Sequence, residues 1–94
     1  MPARKIEWIE YTSRYTRSFK KLPRGIQKKT REREAMFTAN AFDPRIKTHK
    51  LHGMFQDYWA YSVDNKYRVI FRFISGSEAL FFDIGLHPIY GGSE

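Results

Sequence analysis

The sequence predicts an α+β domain: an N-terminal strand and a helical hairpin packed on one face of a small antiparallel sheet of four or so strands. Three observations carry that expectation. Apolar residues recur every three or four positions between Thr12 and about Ala39, and at every second position in the runs after Asn40–Arg45. The turn-forming pairs Asp64-Asn65 and Gly76-Ser77 divide those later runs. The 94 residues, 41% apolar and 17% aromatic, allow one domain with one modest core, spanning residues 1–94.

Each element follows from local chemistry. "KIEWIEY" (Lys5–Tyr11) is a short β-prone run, and Thr12 and Ser13 behind it are good helix N-caps. Tyr15, Phe19 and Leu22 then lie four and three apart, one apolar stripe on a short helix. Pro23 ends that helix and can open the next, since a first turn does not use its missing N–H. From Arg24 to about Ala39 the segment carries Ile26, Thr30, Arg33 and Phe37 along one side, a surface helix with a narrow buried edge. "NAFDPR" (Asn40–Arg45) reads as a loop with an Asp-Pro turn signal. Tyr58–Val63, Tyr67–Ile74 and Ala79–Gly85 are strand candidates, and His49–Leu51 suits the end of a fourth.

Composition narrows the partners. Seventeen Lys and Arg against ten Asp and Glu give a net charge of +7, which points to a polyanion: nucleic acid, a ribosome or an acidic protein. There is no cysteine, so disulfides and thiolate metal sites are excluded. His49 and His52 stand three apart without a third nitrogen ligand or acidic cluster, so no metal or other cofactor is expected. With no membrane-length apolar run and no signal-peptide core, the chain is expected in the cytoplasm, away from membranes.

A sheet covered on one side leaves the other open, and register decides what occupies it. With Gly76-Ser77 as a two-residue turn, Phe73 faces Leu80, Phe71 faces Phe82 and Val69 faces Ile84 on the helix-packed side. The open side then holds Arg72 with Phe81, Ile70 with Asp83, and Arg68 with Gly85. A two- or four-residue loop at Asp64-Asn65 adds Trp59 and Tyr61 to the open side and turns Ala60 and Ser62 toward the helices. Arginine for phosphate and rings for bases are what single-stranded RNA requires, so Trp59, Tyr61, Arg68, Arg72 and Phe81 form the expected surface, with His87 at its edge. A plainer reading has Trp59 and Tyr61 cover apolar sheet and Arg72 pair with Asp83.

Taken together, "FKKLP", "DPRIKTHKLHGM" (Asp43–Met54), "YRVIFRF" (Tyr67–Phe73) and "DIGLHPIY" (Asp83–Tyr90) give the chain a resemblance to a known family. It resembles the RelE/ParE superfamily of bacterial toxin–antitoxin toxins, nearest the ribonuclease branch of RelE, YoeB and YafQ, over nearly the whole chain. That resemblance implies a RelE-like fold and cleavage of mRNA, commonly in the ribosomal A site, with silencing by an antitoxin that wraps around the toxin. It implies that Arg68 stabilises the transition-state phosphate, that His87 is a general acid or base, and that the terminal aromatic Tyr90 contacts or orients substrate. His49 matches a histidine of the YafQ-like toxins, while Lys47 and Lys50 match basic residues that contact RNA. RelE carries two lysines where this chain has Trp59 and Tyr61, and YoeB-like enzymes use a glutamate before the sheet that is absent between Glu34 and Glu78. The site is therefore similar to YafQ, with histidines moving the protons.

The chemistry is coherent without a metal. RNA transesterification needs a base for the 2′-OH, a cation for the phosphorane and an acid for the leaving 5′ oxygen. Histidine, with an unperturbed pKa of roughly 6.5, serves either proton role, and arginine supplies the charge-assisted contact. His49 and His87 are the expected acid–base pair, Arg68 the anchor, and an acidic antitoxin the expected protein partner. The rival within the superfamily is a ParE-like gyrase inhibitor on the same fold, or a non-catalytic binder of RNA or antitoxin.

Overall fold

The computed structural model describes residues 3–86. β1 (Trp8–Tyr11) ends at Thr12, whose hydroxyl accepts the Tyr15 N–H at 2.9 Å and starts α1 (Ser13–Lys20). Pro23 separates α1 from α2 (Arg24–Ala39) and stands at the N-cap position. A 3-10 turn, Pro44–Ile46, begins at Asp43, whose carboxylate accepts the Arg45 N–H. Four strands follow: β2 (His49–Lys50), β3 (Trp59–Ser62), β4 (Tyr67–Ser75) and β5 (Glu78–Leu86).

The five strands form one sheet in the order β1-β5-β4-β3-β2. The architecture is α+β as the sequence predicts, but the sheet is mixed, because β1 runs parallel to β5. The helical hairpin carries the chain from β1 across the sheet to the far edge, and antiparallel pairings return it strand by strand until β5 lies beside β1. The entry segment is fixed as well: the Ile6 N–H donates to the Thr38 carbonyl and the Ala41 N–H to the Arg4 carbonyl.

Phe37 of α2 is fully buried and fills the centre of the core. Its ring centroid lies 5.0 Å from Tyr61, 4.8 Å from Phe71 and 5.4 Å from Phe81. Val69 and Ile84 close the same side, and Tyr15 closes it from α1. Aromatic burial of this kind stabilises by about 1.5–3 kcal/mol per side chain.

Two features of register depart from the sequence reading. Ser75 pairs with Glu78 around Gly76-Ser77, and Arg68, Val69 and Ile70 pair with Gly85, Ile84 and Asp83, all as expected. Between these ends, irregularities at Ile70/Phe71 and Phe73/Ser75 shift the ladder by one, so Phe71 meets Phe81 and Arg72 meets Leu80. Phe81 therefore points into the core, where it is fully buried, and Phe82 turns to the other face. At the preceding turn Tyr61 pairs with Val69 and Ser62 with Arg68. Three residues, Asp64 to Lys66, separate the paired Val63 and Tyr67, and the odd loop length inverts the expected facing of β3.

The face away from the helices is not wholly open. Leu51, Ala60 and Ile70 form a small buried cluster there, covered by Phe55, Tyr58 and Phe82. The segment from Leu51 to Tyr58, with a 3-10 turn at Gly53–Phe55, folds over that half of the sheet.

Candidate functional site

Arg68 is the second residue of β4, flanked by Ser62 on β3 and Gly85 on β5. Its Nη1 donates to Ser62 Oγ at 2.9 Å, which holds the guanidinium beside the end of β3. Across the ladder Gly85 presents no side chain beside it. Arg68 lines a cleft of about 330 Å³ with Lys29 and Arg33 of α2, Arg45 and Lys47 of the turn before β2, and Ser62. Val63, Asp64 and Asn65 complete the lining.

The cleft is cationic; the one carboxylate of its lining, Asp64, and that of Asp43, which is bound to the lining residue Arg45, do structural work. Asp64 Oδ1 accepts the Lys66 and Tyr67 N–H groups at 2.8 Å each, which shapes the loop. Asp43, at the rim, takes Arg45 in a two-pronged contact, with Nη2 to Oδ2 at 2.7 Å. The hydrogen bond from Arg45 holds the Asp43 carboxyl down at about 2, with a smaller contribution from the charge of Arg33. Lys29, Arg33 and Lys47 make no ion pair among the described residues. Like charges at positions i and i+4, as at Lys29 and Arg33, cost a helix about 0.2–0.5 kcal/mol in the absence of an anion.

His49 stands on the same face of the sheet as Arg68. It pairs with Ala60, which pairs with Ile70, and Arg68 lies two residues along β4. Strand spacing and rise put the two Cα atoms about 12 Å apart, a gap that an extended arginine and an imidazole can close on a shared phosphate. His49 Nδ1 lies 2.9 Å from the Lys47 carbonyl oxygen. A carbonyl only accepts, so Nδ1 is the donor in this contact. Lys47 occupies a left-handed backbone conformation (φ 55°), which turns the chain from the 3-10 segment into β2.

The remaining expected site residues divide. Lys50 pairs with Trp59 and so projects to the opposite side of the edge strand from His49. Trp59 and Tyr61 face the helices: Trp59 packs edge-on to Phe42 and Phe73, and Tyr61 is fully buried. Neither lies on the surface with Arg68, and the buried Phe81 is withdrawn from it too. Arg72 is exposed on that surface but does not take Asp83, whose carboxylate receives Arg14 Nε at 3.0 Å. The one-residue shift that moved Phe81 also set Arg72 opposite Leu80. His87 and Tyr90 lie outside the described residues.

Sequence reasoning missed Lys29, Arg33 and Arg45. The signal was present in the α2 stripe, where an arginine sits between the buried Thr30 and Phe37. A cation on an apolar edge needs an opening to face. A separate cavity of about 440 Å³ lies against α1 and α2, lined by Tyr11, Tyr15, Phe19, Arg31 and Glu34. There the Tyr11 hydroxyl donates to Glu34 Oε2, and burial followed by that contact raises the Tyr11 phenol above its usual range.

Among the described residues no three His, Cys, Asp or Glu side chains gather as a metal site. Among the described residues no helix is long and apolar enough to cross a membrane. The lining can bind and polarise anions, and His49 can exchange a proton at its edge.

No protein-family model and no curated protein matches the chain. Solved structures do. A YoeB/ParE toxin from Agrobacterium tumefaciens superposes with a TM-score of 0.73 at 15% identity, covering 86% of this chain and 99% of that one. The Escherichia coli DinJ–YafQ toxin–antitoxin complex gives 0.67 at 21% identity, over 93% and 99% of the two chains. The archaeal RelE–RelB complex from Pyrococcus horikoshii gives 0.63 at 13% identity, over 88% and 94%. The likeness is one of fold, and the fold of this chain is that of the YoeB, YafQ and RelE toxins.

Proposed function

We propose that the chain is a member of the RelE/ParE superfamily and the toxin of a type II toxin–antitoxin system: a metal-independent endoribonuclease that cuts mRNA on the ribosome in the cytoplasm. One observation carries the reading. Arg68 lies in a cleft with four other cations, on the sheet face it shares with His49. The guanidinium binds the scissile phosphate and meets the growing charge of the phosphorane. A histidine base takes the 2′-OH proton, the 2′ oxygen bonds to phosphorus, and the 5′ oxygen leaves with a proton from the acid. The products are a 2′,3′-cyclic phosphate and a 5′-OH end. His49 and His87 are the acid–base pair, Tyr90 orients the substrate, and Lys47 and Arg72 hold flanking phosphates; Lys50, on the other side of the edge strand, takes no part.

The protein partner is an acidic antitoxin. The chain carries +7, and two of the structures with this fold are complexes with DinJ and RelB. The test is incubation of the purified chain with ribosomes programmed by a defined mRNA. Cleavage is expected with cyclic-phosphate ends, lost in Arg68→Ala and His87→Ala, and lost when the nucleotide 5′ to the cut is 2′-deoxy. Cleavage of the deoxy substrate would overturn the mechanism. Intact mRNA together with toxicity that survives both substitutions would establish a gyrase-type inhibitor instead.

A further inference from the structure

We infer that α2 supplies a second seat, formed by Lys29 and Arg33, which takes two neighbouring phosphates and is separate from the one at Arg68, so that the cleft grips a strand and not a single nucleotide. The inference rests on the RNA reading of the cleft. Lys29 and Arg33 are four residues apart on α2, hence on one face and about 6 Å apart along the axis. Both are half-buried, whereas Lys28, Arg31 and Glu32 are exposed. A helix surface gains by pairing opposite charges at this spacing, and here it places two cations. Arg33 Nη1 reaches only the Met36 sulfur, at 3.5 Å, a weak acceptor.

Among the described residues that charge is answered only in part: Arg33 acts on the Asp43 carboxylate through space, but neither it nor Lys29 forms an ion pair. Asp43 is committed to Arg45, and Asp64 to the backbone of its own loop. What remains of the lining is a serine hydroxyl, an asparagine amide and Val63. A protein ligand would want a central apolar or aromatic anchor, and Val63 is the sole apolar residue of this lining. Cations facing an open cleft suit a phosphate backbone, and their one-turn spacing suits neighbouring phosphates of an extended strand. Lys47 lines the same cleft and stands two residues before His49.

The experiment uses the full chain and 2′-O-methyl RNA, which cannot be cleaved by 2′-OH attack. Fluorescence anisotropy measures binding of a five-nucleotide strand and, by competition, of a mononucleotide over a range of salt. The Lys29→Gln/Arg33→Gln variant is expected to bind the strand at least tenfold more weakly and the mononucleotide as wild type does. Its log–log salt slope falls by about 1.4, at about 0.7 for each single-strand phosphate no longer neutralised. The charge-keeping Lys29→Arg/Arg33→Lys variant retains both affinity and slope, and thermal melting confirms that each variant is folded. Strand affinity and slope unchanged in the double glutamine variant would overturn the second seat. So would tighter binding of a polyglutamate peptide of equal charge. Because the probe is not cut, a wild type that binds through Lys29 and Arg33 yet cleaves no mRNA defeats the nuclease reading alone. An active enzyme indifferent to both residues defeats only the second seat.

Discussion

The two faces of one sheet are built to different rules. On the helix side, Tyr61, Val69, Phe71 and Phe81 are fully buried around Phe37. On the other side three buried residues, Leu51, Ala60 and Ile70, make a small cluster, and beyond them Ser62 and Arg68 open onto a cleft lined by five cations. Adjacent residues of β3 and β4 serve the two sides alternately, so a single strand contributes Val69 to packing and Arg68 to charge. Along β3 and β4 the pleat thus separates packing from the Arg68 contact, while Lys29 and Arg33 reach the cleft from α2, and substitutions of core and cleft residues should fail in different ways.

The largest effect is expected from Phe37→Ala. Its ring touches three aromatic partners, and removal of a buried phenylalanine costs about 3–5 kcal/mol. For a domain of this size that is a large share of the total stability. Denaturant titration should show the midpoint falling far or the cooperative transition vanishing. A variant within about 1 kcal/mol of wild type would mean that the core is not organised around α2.

Arg68→Ala is the mirror case. It removes the hydrogen bond to Ser62, worth about 0.5–1.5 kcal/mol net, from a side chain outside the core, so the melting transition should move less than in Phe37→Ala. Cleavage should fall by about 10²–10³, the range for loss of one electrostatic group aimed at a developing charge. If stability and activity fell together in proportion, the division of labour between the faces would be wrong.

How much of this was legible beforehand follows from the same alternation. Helix limits at Thr12, Pro23 and Ala39 were readable, because capping and proline chemistry are local. The ends of the β4–β5 ladder were readable too, since Gly76-Ser77 fixes one end and an unpartnered buried arginine is too costly to allow the alternative. The middle was not. A bulge pair between Ile70 and Ser75, and a three-residue loop closed by the Asp64 side chain, each shift facing by one. Neither carries a signature that alternation alone would expose. One position of error sent Trp59, Tyr61 and Phe81 to the wrong face, while Arg68 stayed where it was expected. Lys29 and Arg33 escaped notice because a charge-rich helix reads as a solvated surface until its neighbours are known.

Tyr61 offers a sharper probe of that correction. Its hydroxyl is buried and has no hydrogen-bond partner among the described residues, as is also true of Tyr15. An unsatisfied buried hydroxyl costs about 1–3 kcal/mol, so Tyr61→Phe should leave stability unchanged or raise it by about 1 kcal/mol, with activity intact. Lost activity at full stability would return Tyr61 to the RNA surface. Burial also raises the Tyr15 and Tyr61 phenols above the ordinary value. Raised folded-state values mean that the stability they protect is present below about pH 10, the unfolded value, and is lost as pH climbs beyond it. Tyrosinate absorbance followed against pH should therefore show these phenols ionising only as the chain unfolds.

The smallest effect belongs to Asp43, on the charged side. Arg45 holds its carboxyl at about 2, below the unfolded value, so this contact contributes above roughly pH 4 and is lost as pH falls toward 2. The pair is exposed at the arginine, and water and salt screen it, so Asp43→Asn should lower the melting midpoint only slightly at pH 7. The difference between variant and wild type should shrink to a small fraction by about pH 2 and vanish below it. Binding should move the other way: with its carboxylate gone, the rim loses a negative charge and Arg45 becomes available, so an RNA strand should bind more tightly at low salt. A variant that is equally destabilised at both pH values, with affinity unchanged, would show that Asp43 acts through its cap on the Arg45 N–H alone and has no part in setting the charge of the cleft.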